Sequence, residues 1–286
     1  MVAYCQSLNQ VKYSLMNSKR VAIITGASTG IGRAVSFKFA KEQYNLALVA
    51  RSSEELTRLA AKLQDDYGID CIVCAGDLSD RQFLRSITVQ TGAKWPTIDV
   101  LVNNAAWRTI ESMRSISLET WEQTLDVCVT APAFLAKWSA ELMEKNNTKG
   151  VIINMSSVMS QRAGGTSPAY IASKGAIESL TSELAVTYGR SGIRVICVQP
   201  GNIETKMSND YKDPNGEDIS RALGEHITDL TPLSRAGQPE EIAEAIYWLS
   251  TDQASFVSGT TLTIDGGFSH NFNAYSIKQL QFPKEF

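Results

Sequence analysis

Histidine is scarce in this chain: His226 and His270 are the only two among 286 residues. Two imidazoles are too few for a histidine-based metal cluster, and a serine–histidine triad is equally hard to build from them. Cysteine is little used as well. Cys5, Cys71, Cys74, Cys128 and Cys197 form an odd, scattered set without framework spacing. That argues against a disulfide scaffold and for reduced thiols in the cytosol, so a cytoplasmic protein is expected. Cys71 and Cys74 do make a CxxC, but inside the strand-like run CIVCA. Successive strand residues face opposite ways, so the two read as strand residues rather than a redox or metal pair, and no metal is expected. An excess of one charge sign is also missing. With 27 Lys and Arg against 30 Asp and Glu, neither nucleic acid nor an acidic membrane is expected as a partner. No apolar run approaches the ~18 residues that a membrane span needs. The opening stretch MVAYCQSLNQVKYSLMNSKR lacks the apolar centre of a signal peptide. Residues 1–18 read as a polar extension.

What is present is a regular alternation. Short β-branched apolar runs occur at VAIIT (21–25), LALVA (46–50), CIVCA (71–75) and DVLVN (99–103), then at VIINM (151–155), RVICV (194–198) and TLTID (261–265). They are continuous rather than alternating, which marks strands buried on both faces. Amphipathic segments of helical length lie between them. In PEEIAEAIYWLS, Pro239 and two glutamates fill the first turn, and Ile242, Ile246 and Leu249 form one stripe. This pattern predicts an α/β fold: a doubly wound parallel sheet of about seven strands with helices on both faces. No repeat or linker interrupts it, so one domain is expected over 19–270, followed by a tail over 271–286.

Two local patterns carry chemistry. The first strand runs into TGASTGIGRAVSFKFA, whose Gly26, Gly30 and Gly32 end a strand and open a helix. Such a turn lets backbone amides and the positive helix end approach a pyrophosphate without side chains in the way. The second pattern is SPAYIASKGAIESL (167–180). Ser167 is placed to cap a helix, and Pro168 suits its first position. Tyr170 and Lys174, four apart, share one helix face. An ammonium beside a phenol favours the phenolate, so the pair is suited to proton transfer.

These motifs resemble the short-chain dehydrogenase/reductase family, of the TGxxxGxG and YxxxK type. The resemblance spans roughly residues 19–268 and rests on an ordered set: TGASTGIG, GDLSD (76–80), LVNNAA (101–106), IINMSS (152–157), YIASK, RVICVQPGNIETKM and SGTTLTIDGG. It implies a Rossmann fold and an oxidoreductase that moves a hydride between a nicotinamide dinucleotide and a carbonyl or alcohol. Tyr170 would be the general acid and base, and Ser157, rather than its neighbour Ser156, would orient the substrate oxygen. Lys174 would bind the nicotinamide ribose and tune Tyr170. Cofactor contacts carry over to Gly26, Ser28, Thr29, Gly30, Ile31 and Gly32 of the first turn, and to Asp77 and Leu78 near the adenine. Asn103, Asn104 and Ala105 follow the fourth strand, and Pro200, Gly201, Ile203 and Thr205 cradle the nicotinamide. Family members are usually homodimers or homotetramers, through long helices such as those after Thr120 and Ser167.

Two departures stand out. Cys128 occupies the place of an asparagine proposed in the family to hold a relay water, and Ala106 replaces the last glycine of NNAG. The cofactor choice is read from LALVARSSEEL. Where an acidic residue would select NAD, Ala50 is followed by Arg51, which can clasp a 2′-phosphate; NADP is expected over NAD. The substrate is expected over Ser157 and Tyr170. Its walls would be Trp107, Arg108, residues 158–168 and a polar segment over 207–227 that reads as a mobile lid. Arg108, Gln161 and Arg162 suggest a hydroxyl-rich or anionic substrate. The classes open at this point are ketones, ketoses or polyols and 3-oxoacyl compounds. A catalytically weak NADP-binding sensor of the same fold is the alternative, and an epimerase or dehydratase is disfavoured by chain length.

Overall fold

The computed structural model describes residues 19–213 and 215–286. The expected polar extension with Cys5, and Pro214 within the expected lid, lie outside the described residues. Strand and helix alternate from the start: β1 (Val21–Thr25), α1 (Gly30–Lys41), β2 (Asn45–Ala50), α2 (Ser53–Tyr67), β3 (Cys71–Ala75), α3 (Arg81–Lys94) and β4 (Val100–Asn103). Next, α4 (Leu118–Leu125), a π-helical turn (Asp126–Thr130) and α5 (Ala131–Lys145) follow one another without a break. The chain continues through β5 (Val151–Met155), α6 (Pro168–Tyr188), β6 (Arg194–Pro200), α7 (Ser220–Leu230), α8 (Pro239–Leu249), β7 (Thr261–Ile264) and α9 (Tyr275–Gln281). Among the described residues, no helix is long and apolar enough to cross a membrane.

The seven strands form one sheet in the order β3-β2-β1-β4-β5-β6-β7, and every neighbouring pair is parallel. This is the doubly wound Rossmann architecture. Alternate strand residues feed two apolar layers. Ala22, Ile24, Leu46 and Leu48 pack with Val35 and Phe39 of α1, Leu56 and Leu63 of α2, and Ile242 and Ile246 of α8. Ile23, Ala47, Leu101 and Ile152 pack on the other face with Leu84 and Ile87 of α3 and Leu135 and Met143 of α5. Ile23, Ile24, Leu46 and Leu48 are wholly buried; each such side chain stabilises the fold by about 1.5–3 kcal/mol. Cys71 and Cys74 go to opposite layers, and burial pushes their thiols up to about 12 and about 11.

Two expectations about ends need correction. Asp99, read as part of the fourth strand, precedes it: its carboxylate accepts the Val21 N–H at 2.8 Å and so fastens the start of β1 to β4. Burial raises the pKa of that carboxyl. Ser167 does not cap α6 with its side chain. Its hydroxyl donates to the Thr109 carbonyl at 2.8 Å, tying the helix start to the loop after β4. Pro168 does occupy the first turn of α6. The tail docks on α7 of its own chain. Asn271 Nδ2 donates to the Leu230 carbonyl at 2.7 Å, and Ser276 donates to the Asp229 carboxylate through N–H at 2.9 Å and Oγ at 2.6 Å.

Candidate active site

The sheet order reverses between β1 and β4, and the crevice at such a reversal, beyond the strand carboxyl ends, is where open α/β sheets bind ligands. Here it is a cleft of about 1330 Å³. Its floor is the glycine turn. Gly26 and Gly30 hold φ of +67° and +51°, conformations that disfavour a side chain. Gly32 lies against the Gly26 carbonyl so closely that a Cβ would stand 2.1 Å from that oxygen. Thr25 and Asn104 brace this turn. The Thr25 hydroxyl accepts the N–H groups of Asn104 and Ala105 at 2.9 and 3.0 Å, and Asn104 Nδ2 donates to the Thr25 carbonyl at 2.9 Å. The absence of side chains and the exposed start of α1 suit the diphosphate of a dinucleotide.

Most expected cofactor positions line this cleft: Gly26, Ser28, Thr29, Gly30 and Ile31 on its floor, and Arg51, Asp77 and Leu78 at one end. Asn104, Ala105, Pro200, Gly201, Ile203 and Thr205 line the remainder. Two do not. Gly32 acts beneath the turn, where only hydrogen fits. Asn103 faces the interior, because neighbouring strand residues alternate and Asn104 takes the cleft side. Asn103 Nδ2 donates to Asn154 Oδ1 at 2.9 Å, and Asn154 Nδ2 donates to Thr181 Oγ1 at 3.0 Å, forming a buried amide ladder from β4 to α6.

Ser157, Tyr170 and Lys174 all border the same cleft. Tyr170 is 8% exposed and Lys174 is 3% exposed. The Lys174 ammonium donates to the Met155 carbonyl at 2.6 Å and stands 5.3 Å from the centre of the Tyr170 ring. Ser157 lies two residues beyond β5, and its hydroxyl accepts the Met159 N–H at 3.2 Å, starting a single helical turn. Ser156, by contrast, turns away. Its hydroxyl contacts Glu178 Oε1 at 2.6 Å, and that oxygen also accepts from Ser160 Oγ at 2.6 Å and Gln199 Nε2 at 2.9 Å. Glu178 thus holds the serines on both sides of the 157–159 turn, a role the sequence reading missed. Its signal was position alone, one turn beyond Lys174 on the same face.

Cys128 lies in the π-helical turn with 1% exposure. Its thiol accepts the Trp107 N–H at 3.3 Å and donates to the Trp107 carbonyl at 3.5 Å. The thiol therefore already braces the loop after β4 in both directions. Cys128→Asn is expected to leave turnover unchanged or reduce it, since a larger polar group must enter a filled site. Turnover numbers at saturating nicotinamide cofactor check this; a gain above about tenfold (1.4 kcal/mol) is the contrary result.

Trp107, expected on the substrate wall, has its ring 5.0 Å from the Arg51 guanidinium. Arg51 follows β2 and Trp107 follows β4, with β1 between them. The pair consequently arches over the glycine turn. Asp77 Oδ1 accepts from the N–H and hydroxyl of Ser79 at 2.9 and 2.8 Å, which fixes the turn after β3. Of the expected substrate-binding side chains, Arg108 and Arg162 line the cleft and are partly engaged within the chain. Arg108 donates to the Tyr211 hydroxyl at 2.8 Å and to the Met207 carbonyl, so it latches the 207–227 segment. Arg162 donates to the Phe268 and Asn271 carbonyls. Gln161 is exposed and outside the cleft lining.

With this geometry in place, comparison with known proteins is decisive. A family model described as "Enoyl-(Acyl carrier protein) reductase" matches residues 26–269. The chain belongs to the short-chain dehydrogenase/reductase family. It is 34% identical over 251 residues to glucose 1-dehydrogenase 2 of Bacillus subtilis, covering 87% of this chain and 95% of that protein. Among solved structures of this family, L-sorbose reductase of Gluconobacter frateurii, complexed with NADPH and L-sorbose, superposes with a TM-score of 0.82. It shares 28% identity and covers 89% of this chain and 98% of that one. Levodione reductase superposes with a TM-score of 0.83 at 29% identity, covering 88% and 98%.

Proposed function

We propose that this short-chain dehydrogenase/reductase is an NADP-dependent carbonyl reductase or alcohol dehydrogenase. The observation that carries the reading is the placing of Ser157, Tyr170 and Lys174 on the cleft that the glycine turn opens. The dinucleotide, when bound, supplies or accepts the hydride. Tyr170 donates the proton that the carbonyl oxygen needs as it gains negative charge, and Ser157 hydrogen-bonds the same oxygen. Lys174, anchored on the Met155 carbonyl, brings positive charge beside the phenol and would hold the nicotinamide ribose of a bound dinucleotide. Oxidation of NADPH by the purified protein in the presence of a panel of carbonyl compounds tests this directly. Exposed Leu118, Phe134 and Val186 on α4, α5 and α6 support assembly as a homodimer or homotetramer.

The NADP preference is attributed to Arg51, which lines the adenosine end of the cleft. Its guanidinium face rests on Trp107, and its edge is free to fork onto a 2′-phosphate. Arg51→Asp is expected to shift the ratio of kcat/KM for NADPH over NADH by about 10- to 100-fold toward NADH. A parent protein that already prefers NADH would be the contrary result.

A further inference from the structure

We propose that the substrate is an apolar ketone with a branched or alicyclic body, rather than a ketose or an acyl thioester. This rests on the reductase reading and names the substrate class of the same site. The wall over the catalytic residues is apolar from several sides. Leu223, Ile227 and Leu230 of α7 line the cleft at i, i+4 and i+7, one stripe of that helix. Val158 and Met159, next to Ser157 in the chain, line it as well, and Met159 packs against Tyr170. Ile110 adds a further side.

The two guanidinium groups on this half of the cleft are partly engaged within the chain. Arg108 is held by Tyr211 and Met207, and Arg162 by Phe268 and Asn271. Among the described residues on this half of the cleft, the half-buried Asn202 has a side chain without a hydrogen-bond partner, and so do the exposed Thr166, Lys206, Lys212 and His226. The four exposed groups belong to the mouth, not to the depth where Ser157 and Tyr170 meet the reacting oxygen. A ketose entering would strip water from several hydroxyls and find few half-buried partners for them, chiefly Asn202 and the remaining donors of Arg162. Each hydroxyl left unpaired weakens binding by a factor of about five or more. An apolar body gains instead, by about fourfold for each methylene buried.

Initial rates of the full chain at saturating NADPH, with cyclopentanone, cyclohexanone, trimethylcyclohexanone, sorbose and an acetoacetyl thioester, test the inference. The expected result is a kcat/KM rising about fourfold per added carbon along the ketone series and exceeding that of sorbose by about 100-fold. The highest kcat/KM with sorbose or the thioester would overturn the substrate class and leave the reductase reading standing. No NADPH oxidation with any carbonyl would overturn both. Ile227→Asn, at a half-buried position on α7, is expected to lower kcat/KM for trimethylcyclohexanone more than tenfold at unchanged NADPH affinity. Unchanged kcat/KM in this variant and in Leu223→Asn would also overturn the inference.

Discussion

Tyr170→Phe is expected to lower ketone turnover by about a thousandfold while NADPH binds as it does to the parent, because general acid catalysis of this kind contributes about 10²- to 10⁴-fold. The substitution removes one oxygen and keeps the ring, which packs against Val127, Cys128 and Met159. Nothing in the glycine turn touches that ring, so cofactor affinity gives an internal control within the same variant. The comparison requires kcat under saturating substrate and an NADPH titration by protein fluorescence. Turnover within tenfold of the parent would mean that another group delivers the proton. Ser157 alone is poorly suited to that task, because an aliphatic hydroxyl is a much weaker acid than a phenol.

Gly32→Ala is expected to abolish measurable NADPH binding, a loss beyond about 100-fold, and to lower the thermal midpoint. A Cβ at Gly32 would stand 2.1 Å from the Gly26 carbonyl oxygen and 2.6 Å from Asn104 Nδ2. Neither atom is the loose end of a flexible side chain. The Gly26 carbonyl belongs to the turn itself, and the Asn104 amide is held by the Thr25 carbonyl. Relief requires the start of α1 to move away from β1 and β4, which dismantles the floor of the cleft. Gly175→Ala is the matching control: a Cβ there meets nothing within 4 Å. In the interior of a helix that change is expected to stabilise by about 1 kcal/mol at most. Nucleotide titration and thermal unfolding of the two variants separate a local clash from a general intolerance of alanine. NADPH affinity of Gly32→Ala within threefold of the parent would contradict the packing argument.

The strands were legible because a two-sided parallel sheet leaves no polar alternation to confuse the pattern. VAIIT, CIVCA and VIINM coincide with β1, β3 and β5. Ends were less so, since they depend on partners distant in the chain. Asp99 belongs outside β4 because of Val21, and Ser167 is drawn off its helix by Thr109. In the site, the glycines and the Tyr170–Lys174 spacing were readable as local geometry. The directions of Asn103 and Asn104 were not, because a strand's two faces become distinct only when the sheet is assembled. Arg162 shows the same limit. A guanidinium near a cleft reads as wholly available to a ligand until the carbonyls of Phe268 and Asn271 are found to hold one of its nitrogens.

The π-helical turn at Asp126–Thr130 has a consequence for the rod formed by α4 and α5. A π turn accommodates one residue more than an α-helical turn, and one residue is about 100° of rotation about the axis. The helical wheel drawn for 118–125 is therefore out of phase with that for 131–145. The first half presents its side to α6, and the second half presents a differently oriented side to β4 and α3. The insertion works like a twist in a belt. One unbroken run of helix serves two neighbours that lie in different directions, and Cys128 rides at the twist itself.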